Sequence, residues 1–161
     1  MLKEYDKAWA IYQESLSILP LPLLSWEFYN LPRAEQKEFN NIQANWSEKV
    51  DYAKVKNSKP LAVLVTDANL KIIFASTNIT EMNGYDYKEI IGNSPKMFQG
   101  KDTSLESRKN IRIAVENLQP FKEVILNYKK NGETYLCQIE AYPKFDKQGN
   151  FVNYIAFETA A

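Results

Sequence analysis

The sequence predicts an α+β fold: a five-stranded antiparallel sheet with helices on one face, preceded by an N-terminal helical extension. Three observations predict it. Apolar residues recur at helical spacing before residue 57 and at alternating, strand-like spacing after residue 120. The change of regime falls at a polar break, Asn57-Ser58-Lys59-Pro60, where composition changes too: the tryptophans (9, 26 and 46) precede it and the glycines (84, 92, 100, 132 and 149) follow it. Two turn sequences, Asn131-Gly132 and Asp146-Lys147-Gln148-Gly149, then divide the C-terminal part into antiparallel strands.

Taken in order, Tyr5, Trp9, Tyr12, Leu16 and Leu19 form one apolar helical stripe that ends at Pro20. Two heptads are short for a coiled coil, so packing against the same chain is favoured over a dimer seam. A second helix is expected to start with Pro32 in its first turn and run toward Lys56, with Phe39, Ile42, Trp46, Val50 and Ala53 on one side. Residues 1–57 are therefore expected to be a helical extension, acting as a cap or in dimerisation, and residues 58–161 the main domain. Pro60 supports the boundary, because the residue before a proline is pushed out of helical geometry. Short β-branched runs at 61–66 and 71–75, separated by Asp67-Ala68-Asn69, predict a hairpin. Between Thr77 and Gln99 come short helical pieces punctuated by Gly84 and Gly92. Thr103-Ser104-Leu105-Glu106 has the pattern of a capping box and predicts a helix through Asn117, with Leu105, Ile111, Val115 and Leu118 as its apolar face. Strands are expected at 122–130, 133–144 and 150–159.

Composition narrows the function. The 161 residues are 45% hydrophobic and 25% charged, as in an ordinary globular domain able to build a core without disulfides. Lys plus Arg and Asp plus Glu each total 20, leaving no net field for nucleic acid or an anionic membrane, and neither is expected as a partner. The absence of histidine removes the phosphoacceptor of a histidine kinase, the histidine-containing hydrolase triads, the usual haem ligand and the commonest zinc ligand. No metal site is expected. Cys137, the single cysteine, has no partner for an internal disulfide and suits a reducing compartment. The most apolar stretch, residues 18–24, is interrupted by Pro20 and Pro22 and is far shorter than the ~20 residues of a membrane span. The charged N-terminus is unlike a secretory signal, so a cytoplasmic location is expected.

Alternation divides the last three strands into two faces. One carries Ile125, Asn127, Tyr135, Cys137, Ile139, Ala141, Tyr154, Ala156 and Glu158. The other carries Val124, Leu126, Tyr128, Leu136, Tyr142, Phe151, Ile155 and Phe157. Both are too apolar for water: the middle helices would cover one, and the N-terminal helices or a second subunit the other. The first face mixes an amide, a thiol and a carboxylate into an apolar wall, which is the make-up of a small-molecule pocket. The plainer alternative is that Asn127 satisfies a bend in the sheet and Glu158 lies in water.

Residues 83–92, Asn83-Gly84-Tyr85-Asp86-Tyr87-Lys88-Glu89-Ile90-Ile91-Gly92, resemble the GYxxxEIIG segment of PAS sensory domains. Gly92-Asn93-Ser94-Pro95-Lys96-Met97-Phe98-Gln99-Gly100 is similar to the GRNCRFLQG motif of the flavin-binding light-oxygen-voltage (LOV) branch. Residues 125–132 and 153–157 match the strand signatures of the same family, and the resemblance covers the chain from about Lys59 to Thr159. It implies a PAS fold and a flavin mononucleotide (FMN) site. Lys96 and Arg112 match the basic pair that holds the flavin phosphate, and Gln99 and Asn127 match polar contacts. Pro95 stands where the photoreceptors place their adduct-forming cysteine, Ser94 and Cys137 replace flavin-contacting asparagines, and Glu158 replaces the signalling glutamine of the last strand. Light-driven thiol addition is therefore not expected. A Glu158 pointing into a pocket would be kept protonated by desolvation and could donate to a carbonyl, or it would pair with a basic group of the ligand. Cys137 is expected to be a packing residue rather than a nucleophile.

The resemblance thus implies a signal-transduction domain that binds a small planar ligand, FMN being the leading candidate, without cysteinyl-adduct photochemistry. The alternative is a ligand-free PAS module for protein interaction or dimerisation, using Phe151, Ile155, Phe157 and the N-terminal helix. No catalytic residues are expected, since no base and nucleophile pair or phosphate loop is found, and the chain is not expected to be an enzyme. No kinase, cyclase or DNA-binding output region is found in it. Output is expected through a homodimer, a separate signalling protein or sequence outside this chain.

Overall fold

The computed structural model describes residues 34–58 and 61–161. The helical stripe expected from Tyr5 to Leu19, the apolar stretch at 18–24 and Pro32 lie outside the described residues. Residues Glu35–Ala161 form one compact unit. Its elements are α1 (residues 34–42), α2 (Tyr52–Ser58), β1 (Ala62–Thr66), β2 (Ile72–Ala75), α3 (Asn78–Asn83), α4 (Tyr87–Ile90), α5 (Leu105–Glu116), β3 (Phe121–Tyr128), β4 (Thr134–Phe145) and β5 (Phe151–Ala160), with 3-10 turns at Gln43–Asn45 and Pro95–Phe98. All strand pairs are antiparallel, in the order β2-β1-β5-β4-β3, as expected for a PAS fold. Among the described residues no helix is long and apolar enough to cross a membrane, and no group of three or more side chains of metal-ligand type comes together.

The turns form as their residues dictate. Asp67 accepts from the backbone N–H groups of Asn69 and Lys71 and closes the β1–β2 hairpin. Gly132, at φ +89°, supplies the left-handed backbone that the β3–β4 turn requires. Asp146 repeats the arrangement of Asp67 in the β4–β5 turn, accepting from the amides of Gln148 and Asn150.

The continuous helix expected from Pro32 to Lys56 is not formed. The chain leaves helical geometry at Trp46, which is extended at ψ 140° and bridges to Asp146. Trp46 is buried and donates its indole N–H to Asn153 Oδ1 at 2.8 Å, while Ser47 N donates to Phe145 O at 2.9 Å. Pairing with the β4–β5 hairpin and burial of an indole outweigh the helical hydrogen bonds given up. The interruption rotates α2, so that Tyr52 is buried and Ala53, expected on the apolar side, is exposed. Of the residues expected in the extension, 35–57 belong to the same compact unit as the strands. Phe39, Trp46 and Tyr52 pack on Val63, Val65, Phe74 and Ile155, covering the outer face of β1, β2 and β5. Phe39 stacks on Tyr52 with ring centres 4.5 Å apart. Ile155, expected as part of a dimer face, is therefore buried under its own chain, and Phe157 packs partly against the same cluster.

Two further expectations change around α5. Its N-cap is Ser104, which accepts from Ser107 N at 3.3 Å, not Thr103 in a capping box. Thr103 is drawn away by the sheet: its hydroxyl donates to Leu126 O at 2.7 Å and accepts from Gly100 N at 2.9 Å. The apolar residues of α5 do not enter a packed core, for Leu105 is 80% exposed and Ile113 45%. Space separates this helix from the sheet.

Candidate functional site

That space is a cavity of about 680 Å³ between the inner face of the sheet, the 3-10 turn at Pro95–Phe98 and α5. Its floor is sheet: Leu64 and Thr66 of β1, Phe121 and Asn127 of β3, Ile139 and Ala141 of β4, and Tyr154, Ala156 and Glu158 of β5. Its other wall is Ser94, Pro95, Lys96, Phe98 and Gln99 from the turn and Leu105, Arg108, Lys109, Ile111, Arg112, Val115 and Glu116 from α5. The volume lies within the range of small-molecule pockets, about 300–1,000 Å³.

Seven of the eight residues singled out from sequence, Ser94, Pro95, Lys96, Gln99, Arg112, Asn127 and Glu158, come together on this cavity. Cys137 is not among its lining residues. It lies buried beside Glu158, its Sγ 3.6 Å from Glu158 Oε2, and burial followed by the neighbouring carboxyl pushes its thiol far above the usual range, a packing thiol rather than a thiolate. Pro95 takes the first position of the 3-10 turn, and the Ser94 hydroxyl caps that turn by accepting from Lys96 N at 3.4 Å.

The polar groups are unevenly spread. Lys96, Arg108, Lys109 and Arg112 bring four positive charges to the lining, against Glu116, which stands 4.0 Å from Arg112. At the sheet, Glu158 is 3% exposed, and burial pushes its carboxyl up to about 7 against the smaller opposing effect of the Cys137 hydrogen bond. Asn127 is buried, and its Oδ1 has no hydrogen-bond partner among the described residues; the same holds for Thr66 Oγ1. Buried polar atoms without partners cost about 1–3 kcal/mol each, so they mark places where a guest or water completes the bonding.

Arg108 was not anticipated. Its guanidinium donates to Gly100 O and fastens α5 to the segment that follows the 3-10 turn. The sequence signal was available, since Arg108 and Arg112 are four residues apart and share one helix face. Thr66 was also missed, although it has the same strand parity as Leu64. The cavity is held open from its edges. Tyr154 donates its hydroxyl to Gln119 O at 3.1 Å, just beyond the end of α5. Tyr128 donates to Asp102 Oδ2 at 2.5 Å and accepts from Asp102 N at 3.1 Å, pinning the loop before α5 to β3.

Comparison with known proteins agrees with this architecture. A family model described as a PAS domain matches residues 60–159. Protein TWIN LOV 1 of Arabidopsis thaliana is 34% identical over 88 residues, which cover 54% of this chain and 22% of that protein. A blue-light photoreceptor of Listeria innocua serovar 6a is 31% identical over 96 residues, covering 58% of this chain and 38% of that protein. The chain therefore spans well under half the length of either relative. Among solved structures, one reported under "Flavin Analogue Sheds Light on Light-Oxygen-Voltage Domain Mechanism" superposes with a TM-score of 0.63 at 27% identity, covering 69% of this chain and 86% of that one.

Proposed function

The chain belongs to the PAS domain family over residues 60–159, and from that premise we propose that it is a sensory domain holding a small planar ligand, with FMN the leading candidate, and that it works without a cysteinyl adduct. The observation that carries this reading is the cavity itself: an apolar sheet wall bearing the partnerless Asn127 Oδ1 and the buried Glu158, facing a lining rich in cations. Those features fit a flavin. Lys96 and Arg112 would hold the phosphate, and Asn127, Gln99 and Glu158 the polar edge of the ring. A bound flavin would supply blue-light absorption and reversible redox chemistry. Pro95 offers no thiol, and Cys137 lies outside the lining, so the proposed signal runs through hydrogen bonds.

In this reading Glu158 passes the signal on. It pairs with Ala62 of β1 and Ile139 of β4, and the preceding residue, Phe157, packs toward the cluster of Phe39, Trp46 and Tyr52 on the outer face. A ligand state that changes its bonding to Glu158 biases that packing, provided the two states bond differently. The proposed role is sensing, not catalysis.

The test is the colour of the purified protein and the identity of any small molecule in its denatured extract. Asn127→Ala and Arg112→Glu are each expected to weaken flavin binding about tenfold or more, the value of a charge-assisted or otherwise unmet hydrogen bond. Full flavin occupancy in both variants overturns the assigned contacts. A second reading, an interaction module, draws on a separate observation: Val124, Leu136 and Tyr142 on the outer face of β3 and β4 are 49%, 47% and 42% exposed.

A further inference from the structure

We propose that Glu158 and Cys137 work as a pair at the sheet wall of the cavity, Glu158 binding the guest in its protonated form and Cys137 positioning the carboxyl, so that guest affinity depends on pH. The inference rests on the reading of the cavity as a ligand site. The pair is defined by geometry. Glu158 lines the cavity and is buried, and its hydrogen-bond partner among the described residues is the Cys137 thiol, 3.6 Å from Oε2. Oε2 is thus occupied as an acceptor from a residue outside the lining. Oε1 is left to carry a proton and donate to an acceptor atom on the guest, a carbonyl oxygen or a ring nitrogen.

The neighbours of Glu158 favour this arrangement. On β1 it lies opposite Ala62, which cannot compensate a charge, and on β4 its ionisable neighbours are Cys137 and Tyr135. Burial, then the presence of Cys137 and Glu158, pushes the Tyr135 phenol well above its usual range, so it stays neutral. On the opposite wall, α5 offers Arg108, Lys109, Arg112 and Glu116, and the 3-10 turn offers Lys96; none is within ion-pair distance of Glu158. A carboxyl enclosed by these groups ionises with difficulty, and its midpoint of about 7 falls within the physiological range. A planar guest that displaces water from beside it strengthens the preference for the protonated form. The sign follows: protons are needed for binding, so affinity is full below the midpoint and falls as pH rises through it.

The experiment uses the full chain stripped of any bound molecule and titrated with FMN and with riboflavin from about pH 5.5 to about pH 9, following flavin fluorescence. Wild-type affinity is expected to be level at low pH and then to fall about tenfold per pH unit, the slope of one linked proton. Glu158→Gln, which donates at every pH, should give a level profile with riboflavin, which has no phosphate to titrate in this range. Cys137→Ala should move the midpoint to higher pH, because the thiol hydrogen bond favours the charged carboxyl, and Cys137→Ser should restore it. A level wild-type profile, or the wild-type slope retained in Glu158→Gln, overturns the proposal. An unmoved midpoint in Cys137→Ala overturns the positioning role.

A readout independent of the guest separates this inference from the reading of the site. Infrared difference spectra of wild type minus Glu158→Gln, without flavin, should show a protonated-carboxyl band at acidic pH that vanishes at alkaline pH. Absence of the band at acidic pH overturns the proposal whatever binds. A band that titrates while neither flavin binds supports the pair and overturns the flavin assignment.

Discussion

At Gly100 the backbone runs against the ring of Tyr128 so closely that a Cβ there would lie 2.3 Å from the nearest ring atom. The same tyrosine is fixed by Asp102, so the ring has little freedom to yield. Gly100→Ala is therefore expected to cost about 1–3 kcal/mol, the range for overpacking a well-filled site. Thermal melts check it, and shortening Tyr128 in the same chain should recover part of the loss. Glu158 illustrates what a single residue shows in sequence. Its strand parity indicated the inner face, and the structure agrees, but parity is silent on depth. The burial that pushes its carboxyl up to about 7 is set by strands distant in sequence, which place Ala62 of β1 and Ile139 of β4 opposite it. Cys137 has the same parity and yet is not among the lining residues; it is buried on the neighbouring strand with its Sγ 3.6 Å from Glu158 Oε2.

The elements built from local signals came out much as their residues imply. Alternating runs closed by Asn131-Gly132 and Asp146–Gly149 became strands, because a two-residue period and a left-handed glycine suit few other structures. The helices held less well to local signals. Trp46 ended a helix that periodicity would have continued, and Thr103 left its expected cap for a strand carbonyl. What secures α1 instead is Glu35, which accepts from the Tyr52 hydroxyl, from Lys56 Nζ at 2.8 Å and from Thr77 N at 3.0 Å. Burial opposes ionisation there, but the hydrogen bonds from Lys56, Tyr52 and Thr77 prevail and hold the carboxyl below the usual range. Removing it takes the acceptor from three donors, of which the Tyr52 hydroxyl belongs to a buried residue. Glu35→Ala should destabilise the fold by about 1–3 kcal/mol and speed amide exchange in α1 and α2 more than in β3 and β4. Equal protection in variant and wild type would count against Glu35 as the fastening.

Across the whole molecule, a sheet apolar on both sides has been covered unequally. On the outer side, Phe39, Trp46 and Tyr52 close over β1, β2 and β5, leaving Val124, Leu136 and Tyr142 exposed on β3 and β4. On the inner side, α5 stands off the sheet and leaves the cavity. If the outer strip is where a second copy docks, as the interaction reading holds, Tyr142→Asp should shift a dimer toward monomer in light scattering. An unchanged mass would remove this strip as the dimer contact. The Lys122–Glu140 ion pair beside it is largely exposed and contributes little to stability by itself.

The sequence by itself determined the strands, their turns, the two faces of the sheet and the absence of histidine chemistry, because these depend on backbone geometry within a few residues and on composition. Through the resemblance it also singled out seven of the residues that meet on the cavity. Only the tertiary structure decided where the helix before β1 stops, which part of the outer face is covered, that α5 stands away from the sheet, and that Cys137 packs against Glu158 without lining the cavity. Those outcomes turn on long-range burial and hydrogen bonding, in which Trp46 with Asn153 or Thr103 with Leu126 outweighs the preference of the local chain.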